Sequence, residues 1–213
     1  MKDQAGLTAM TPQSTSIKIA EQLREKIVEG FFVPGQQINE THVSSQLNLS
    51  RGPLREALQR LSQEGLLVSK PNRGVFVVEL TSEDVDEIYG VREILELGAA
   101  ELMTSRPAAR RRQVADKLLA IAAKLSAAAE VDDWNRVQKL DLAFHTALVS
   151  APGNSRLLRA YTTLATESLI CMTNLKQAYP TPSSVSHHAL MPELIATGTM
   201  AEIRPAFHRH LSL

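Results

Sequence analysis

A single cysteine, an aromatic content of 4%, a formal net charge of zero and no long apolar run are the scarcities of this 213-residue chain. One thiol, Cys171, cannot close an intrachain disulfide, and with no Cys or His at ligand spacing beside it, it reads as a small buried side chain. So few aromatics argue against the stacking platforms that hold single-stranded nucleic acids and RNA. No apolar stretch reaches the length of a membrane span, and the polar N-terminus from Met1 to Ser16 lacks a signal-peptide core, so a cytoplasmic protein is expected. A balanced charge does not by itself exclude a nucleic-acid partner, because the distribution matters more than the sum. There is no internal repeat.

What is present begins with a basic segment. From Ser50 to Arg73 the cations Arg51, Arg55, Arg60, Lys70 and Arg73 face only Glu56 and Glu64, a local net charge of +3. Inside it, Leu54, Ala57, Leu58 and Leu61 recur at helical spacing and predict one apolar face. Ser50 is a good N-cap, and Pro53 is tolerated in a first turn whose amides have no helical partner. Arg51 and Arg55 lie one turn apart, off the apolar face, where they suit phosphate oxygens or guanine edges in a major groove. Ahead of this helix, Asn39 to Leu47 reads as a short capped helix and Asn48-Leu49-Ser50 as a tight turn, which together make a helix-turn-helix.

Further upstream, Ile17, Ala20, Leu23, Ile27 and Val28 predict an amphipathic helix that Gly30 ends, preceded by a mobile lead-in over residues 1–14. Phe31 to Gly35 turns the chain toward the helix-turn-helix. Downstream, Gly65 stops the basic helix. Residues 66–69 and 74–78 then read as two strands joined by the basic turn Lys70-Pro71-Asn72-Arg73, a wing that could set Arg73 and Gly74 beside a minor groove.

Residues 16–80 resemble the winged helix-turn-helix of the GntR family of bacterial transcription regulators. The resemblance rests on Pro34-Gly35, Ser50-Arg51-Gly52-Pro53-Leu54-Arg55-Glu56-Ala57-Leu58, Glu64-Gly65-Leu66 and Arg73-Gly74-Val75-Phe76-Val77. It implies DNA contacts from Ser50, Arg51, Gly52, Arg55, Arg73 and Gly74. At Gly52 many family members carry a larger side chain, so any contact there falls to the backbone amide.

Thr81-Ser82-Glu83-Asp84 has the form of a capping box and opens a second domain. Six helices are expected there: Val85 to Thr104, Ala108 to Ala129, Asp133 to Ser150, Ser155 to about Ala178, Ser184 to Thr197 and Ala201 to Leu211. The fold class is thus mainly α, with a lead-in over 1–14, a winged helix-turn-helix over 15–80 and an all-helical bundle over 81–213. On the third of these helices Val137, Leu140, Phe144 and Leu148 set the inward face, and Asp141 and His145, four apart, point at the same spot. A carboxylate aimed into a bundle needs a partner or a cation. His210 follows Ile203 and Phe207 inward while His208 leans away. Periodicity leaves His187 and His188 both open, since one aligns with Leu190 and Leu194 and the other with Met191 and Ile195. Three imidazoles and a carboxylate suit Zn²⁺ or a similar divalent metal.

This second domain resembles the FCD domain of the FadR-like branch of the same family. Its metal-binding members carry Asp-x-x-x-His on one helix and two later histidines at the separation found between His188 and His210. The resemblance therefore implies Asp141, His145, His188 and His210 as ligands, of zinc first, with nickel or manganese also possible. It covers about 200 of the 213 residues. One departure is the end at Leu213, where relatives extend the last helix, so the far end of this helix is expected to be truncated or mobile.

The family also implies a small carboxylate effector, an organic or sugar acid, for which Arg92 is a candidate clamp; the bland alternative pairs Arg92 with Glu93 or Glu96 on the surface. The expected function is a ligand-responsive regulator, a repressor relieved by its effector, acting as a homodimer on double-stranded operator DNA, and not an enzyme. Two other readings stand beside it. One is a metal-free regulator of an acyl-type ligand. The other is a metal-dependent hydrolytic enzyme, against which no further Glu, Lys or Tyr on the same faces offers an obvious general acid or base.

Overall fold

The computed structural model describes residues 15–175 and 185–212. The expected mobile lead-in, the end of the fourth helix near Ala178 and the start of the fifth at Ser184 lie outside the described residues.

Helix α1 (Thr15–Val28) packs along the basic helix, burying Ile19, Ala20, Leu23 and Ile27. Ile19, rather than the expected Ile17, leads this face; Ile17 is only half-buried. A two-residue strand β1 (Gln37–Ile38) follows, then α2 (Glu40–Gln46) and α3 (Arg51–Gln63). Asn39 caps α2 by accepting the His42 amide at 3.0 Å. Asn48, at a φ of 51°, makes the turn between α2 and α3, a left-handed conformation that asparagine tolerates. The four apolar residues expected on α3 are its buried ones, Leu54, Ala57, Leu58 and Leu61. Fully burying a leucine contributes roughly 1.5–3 kcal/mol, which is what holds α3 in place with its arginines outward. Ser50 is the N-cap by backbone position, but its hydroxyl makes no capping bond, a correction to its expected role.

Strands β2 (Leu67–Lys70) and β3 (Gly74–Val77) form the wing. The sheet order is β1-β3-β2, all antiparallel, with Ile38 opposite Val75 and Lys70 opposite Gly74. The sequence reading held no β1; two residues carry no period of their own.

Thr81 and Asp84 form the expected capping box of α4 (Ser82–Thr104), with the Thr81 amide donating to Asp84 at 2.8 Å. Then come α5 (Ala108–Glu130), α6 (Trp134–Ser150) and α7 (Ser155–Leu175). The helix expected from Ser184 to Thr197 is broken among its described residues. A 3₁₀ turn covers His187–Ala189 and a separate α8 covers Met191–Thr197, with Pro192 in its first turn. Pro192 has no N–H to give and its ring excludes the carbonyl four residues back, so no continuous ladder can pass. Helix α9 (Met200–Leu211) closes the bundle against α4.

Leu97, Met103, Leu118, Phe144, Met191, Ile203 and Phe207 share one core. Cys171 is buried with Val85, Ile88, Tyr89 and Leu211, and burial pushes its thiol up to about 12, as befits an inert packing residue. Its neighbour Ile170, also on α7, belongs instead to the core of the winged domain. No helix among the described residues is long and apolar enough to cross a membrane.

Candidate metal centre and nucleic-acid interface

Two helices and the 3₁₀ turn bring a histidine cluster together. His145 comes from α6, His188 from the turn before α8 and His210 from α9. Their Nε2 atoms converge: His145 to His188 is 3.2 Å and His145 to His210 is 3.1 Å. Asp141, one turn before His145, places Oδ1 3.0 Å from His188 Nε2 and 3.7 Å from His145 Nε2. His145 and His188 are buried, and all three rings lie within one tight group. His187 is only half-buried and meets the His210 ring edge-on at 5.9 Å, outside this group. His208 leans to the surface, where it faces Glu93 at 3.1 Å.

The protons are fixed by what stands behind each ring. His145 Nδ1 lies 2.7 Å from Glu96 Oε2 and His188 Nδ1 lies 3.2 Å from the Val185 carbonyl. Neither oxygen can donate, so both Nδ1 atoms carry hydrogens. In the neutral rings this turns both Nε2 lone pairs toward each other. In the metal-free protein a proton on His145, held by Glu96 and Asp141, relieves their repulsion, and a metal ion would take its place. Ligands at right to tetrahedral angles around zinc, with Zn–N near 2.0–2.1 Å, stand roughly 2.9–3.4 Å apart, which is the spacing of these nitrogens. The buried His210 Nδ1 has no hydrogen-bond partner among the described residues. The donor set therefore fits a first-row divalent ion.

The electrostatics agree with a site built for positive charge. Burial opposes charging His145, but Glu96 and Asp141 outweigh it and push that ring up to about 9. Burial would raise the Asp141 carboxyl, yet His145 and His188 hold it well below the usual range. Burial and the neighbouring His188 and His145 push His210 well below the usual imidazole value.

Glu96, expected only as a surface partner of Arg92, lies buried against the histidine cluster. It is 0% exposed, and behind it Arg92, 2% exposed, gives Nε to Glu96 Oε1 at 3.3 Å. Of the surface partners expected for Arg92, Glu93 and Glu96, it pairs with Glu96, and in the core rather than on the surface. Its guanidinium also lies over the Tyr89 ring at 4.8 Å, and the Tyr161 hydroxyl is buried within its field. The only signal in the sequence was the four-residue spacing of Arg92 and Glu96, which an exposed pair shares.

In the winged domain, Arg51, Arg55 and Gly74 border one open hollow of about 300 Å³, together with Gln37 to Thr41. Ser50, Arg51, Gly52 and Arg55 are exposed, and a side chain on Gly52 would meet open space. Arg73 is exposed at the wing tip, where its carbonyl accepts Gln37 Nε2 at 2.7 Å. Gly74 has a φ of +98°, a left-handed conformation that favours glycine, and a Cβ there would lie 2.9 Å from Gln37 Nε2, pushing the end of that side chain aside. Lys70 stands over the Phe76 ring at 4.8 Å. Three of the six expected contacts, Arg51, Arg55 and Gly74, thus border one hollow, and Ser50, Gly52 and Arg73 are exposed. Gln37, Glu40 and Thr41 at that hollow were not singled out from sequence.

A winged helix-turn-helix with an exposed basic helix, fused to a bundle with a buried histidine cluster, defines a two-domain DNA-binding regulator. Residues 15–77 match the bacterial regulatory proteins of the gntR family, and residues 87–213 match the FCD domain. The chain belongs to that family, whose members bind DNA to control transcription. It is 33% identical over 146 residues to the HTH-type transcriptional regulator YdhC of Bacillus subtilis, covering 68% of this chain and 64% of that one, just under two thirds. Against the gluconate operon transcriptional repressor of Bacillus subtilis identity is 25%, across 94% of this chain and 84% of the relative. A solved GntR regulator from Rhodococcus sp. RHA1 superposes with a TM-score of 0.76 at 25% identity, covering 93% of this chain and 94% of that one.

Proposed function

We propose that the chain is a ligand-responsive transcription repressor of the cytoplasm. It acts as a homodimer on double-stranded operator DNA, its helical domain holding a divalent metal and a small carboxylate effector. Asp141, His145, His188 and His210 would hold the metal, zinc first, with nickel and manganese chemically compatible. A bound ion supplies electrophilic positions that an effector carboxylate can occupy. Arg92, held by Glu96 through Nε, is the candidate clamp for the same anion.

The observation that carries this reading is the approach of His188 Nε2 and His210 Nε2 to His145 Nε2, at 3.2 and 3.1 Å, with the tautomers of His145 and His188 fixed from behind. In the winged domain, Ser50, Arg51, Gly52, Arg55, Arg73 and Gly74 would meet DNA. Two such domains in a dimer read two-fold related half-sites. Effector binding alters operator affinity to the extent that it favours one arrangement of the two domains over the other.

The test is metal content of the purified wild type beside His188→Ala and His187→Ala. Near-stoichiometric metal lost only in His188→Ala is expected. No metal in any of the three would move the reading to a metal-free regulator of an acyl-type ligand.

A further inference from the structure

The first turn of α2 holds both arginines of α3. Glu40 Oε2 accepts Arg55 Nε at 2.8 Å, and Thr41 Oγ1 accepts Arg51 Nη2 at 3.3 Å. Glu40 is itself well fixed: Asn39 caps the helix directly before it, and the positive end of α2 favours its carboxylate. The Glu40 side chain is 27% exposed while that of Arg55 is 65% exposed, so the acid is the anchor and the guanidinium projects from it.

A guanidinium has two forked edges, Nε with Nη2 along its side and Nη1 with Nη2 at its tip. A carboxylate on Nε takes the side edge and leaves the tip, whose two parallel donors match the O6 and N7 of guanine. An arginine without an anchor samples many rotamers and pairs as readily with any phosphate, which carries no sequence information. An exposed ion pair contributes little to folding, so the consequence of this one lies in binding.

We infer that Glu40 is a positioning and specificity-determining residue for operator recognition. It aims the tip of Arg55 at a guanine, and its negative charge keeps Arg55 off the phosphates. Thr41, uncharged and on Nη2, only limits the rotamers of Arg51. The inference rests on Arg55 being a DNA contact, as proposed above.

The experiment uses full-length protein and a duplex enriched by the wild type from a random-sequence library, beside a shuffled duplex of equal length. Affinities for both are measured over a series of salt concentrations for the wild type, Glu40→Ala, Glu40→Gln and Arg55→Ala, with an unfolding midpoint for each. In Glu40→Ala the ratio of specific to shuffled affinity should fall about tenfold or more. Binding to the shuffled duplex should hold or strengthen, its salt dependence steepening by roughly 0.9 as Arg55 takes up a phosphate. Glu40→Gln, which keeps the acceptor but not the charge, should fall between; it carries the test if the alanine variant is unstable. A ratio that drops in Arg55→Ala but is unchanged in both Glu40 variants overturns the inference and leaves Arg55 as a contact. A ratio unchanged in Arg55→Ala overturns the contact itself. Parallel loss of both affinities with a lowered unfolding midpoint would make Glu40 merely structural, and overturns the inference too.

Discussion

Replacing Glu96 by glutamine probes two roles of one buried carboxylate. It orients His145 through a 2.7 Å bond to Nδ1 and neutralises Arg92 at 3.3 Å, with all three side chains buried. The amide can still accept from Nδ1, so the ring keeps its tautomer but loses the charge that raises its basicity. For an outer partner of this kind, metal affinity should fall by roughly 10–100-fold, or about 1.4–2.7 kcal/mol. Arg92 is then left as an uncompensated buried cation, a loss of roughly 3–5 kcal/mol of stability. The folding effect is the larger, so instability could masquerade as lost affinity. Adding Arg92→Met separates the two, because it removes the stranded charge while leaving Glu96→Gln in place. The assay is chelator-competition titration with zinc, beside denaturant unfolding of the metal-free protein. The double variant should recover stability but not affinity. Wild-type affinity in a folded Glu96→Gln protein, or full recovery of affinity in the double variant, would refute the orienting role.

Other outcomes follow from the same geometry. His145, with its folded value pushed up to about 9, adds stability to the metal-free protein that is complete below its ordinary value near 6.5 and is lost as pH rises through about 9. The loss amounts to roughly 3 kcal/mol, to be read from denaturant midpoints between pH 6 and 9.5 in the presence of chelator; a flat profile would contradict the pairing with Glu96 and Asp141. Metal affinity should climb over the same interval, since the ion displaces that proton. Ile170→Ala should lower the stability of the winged domain by about 2–4 kcal/mol, although the residue belongs to α7. Hydrogen exchange in α1 and α3 would register it, and unchanged protection there would argue against the packing.

The helix-turn-helix was readable because Leu54, Ala57, Leu58 and Leu61 obey one period and the turn residues punctuate it. Helices α4 to α6 ended close to where caps and prolines placed them. Strand β1 was not readable, since its pairing with Val75 and Phe76 depends on chain distant in sequence. The break before α8 had a signal in Pro192, and the apolar period of Met191 and Ile195 masked it. That break is what resolves the two adjacent histidines, for His188 leaves the helix inward while His187 remains half-buried. Asp141 and His145 were legible from spacing. Glu96 was not, because nothing in a sequence separates a surface Arg-x-x-x-Glu pair from one sealed in a core.

The placement of Ile170 bears on how such proteins diversify. The apolar interior of the DNA-reading half is completed by a residue lying about ninety positions beyond its last strand. A chimera joining this reader to a foreign sensor would inherit a hole where that side chain sat, and an excised fragment ending at Leu80 would show the same vacancy to solvent. The two halves are therefore not interchangeable parts joined by a hinge. Any lineage that swaps one must re-evolve the plug.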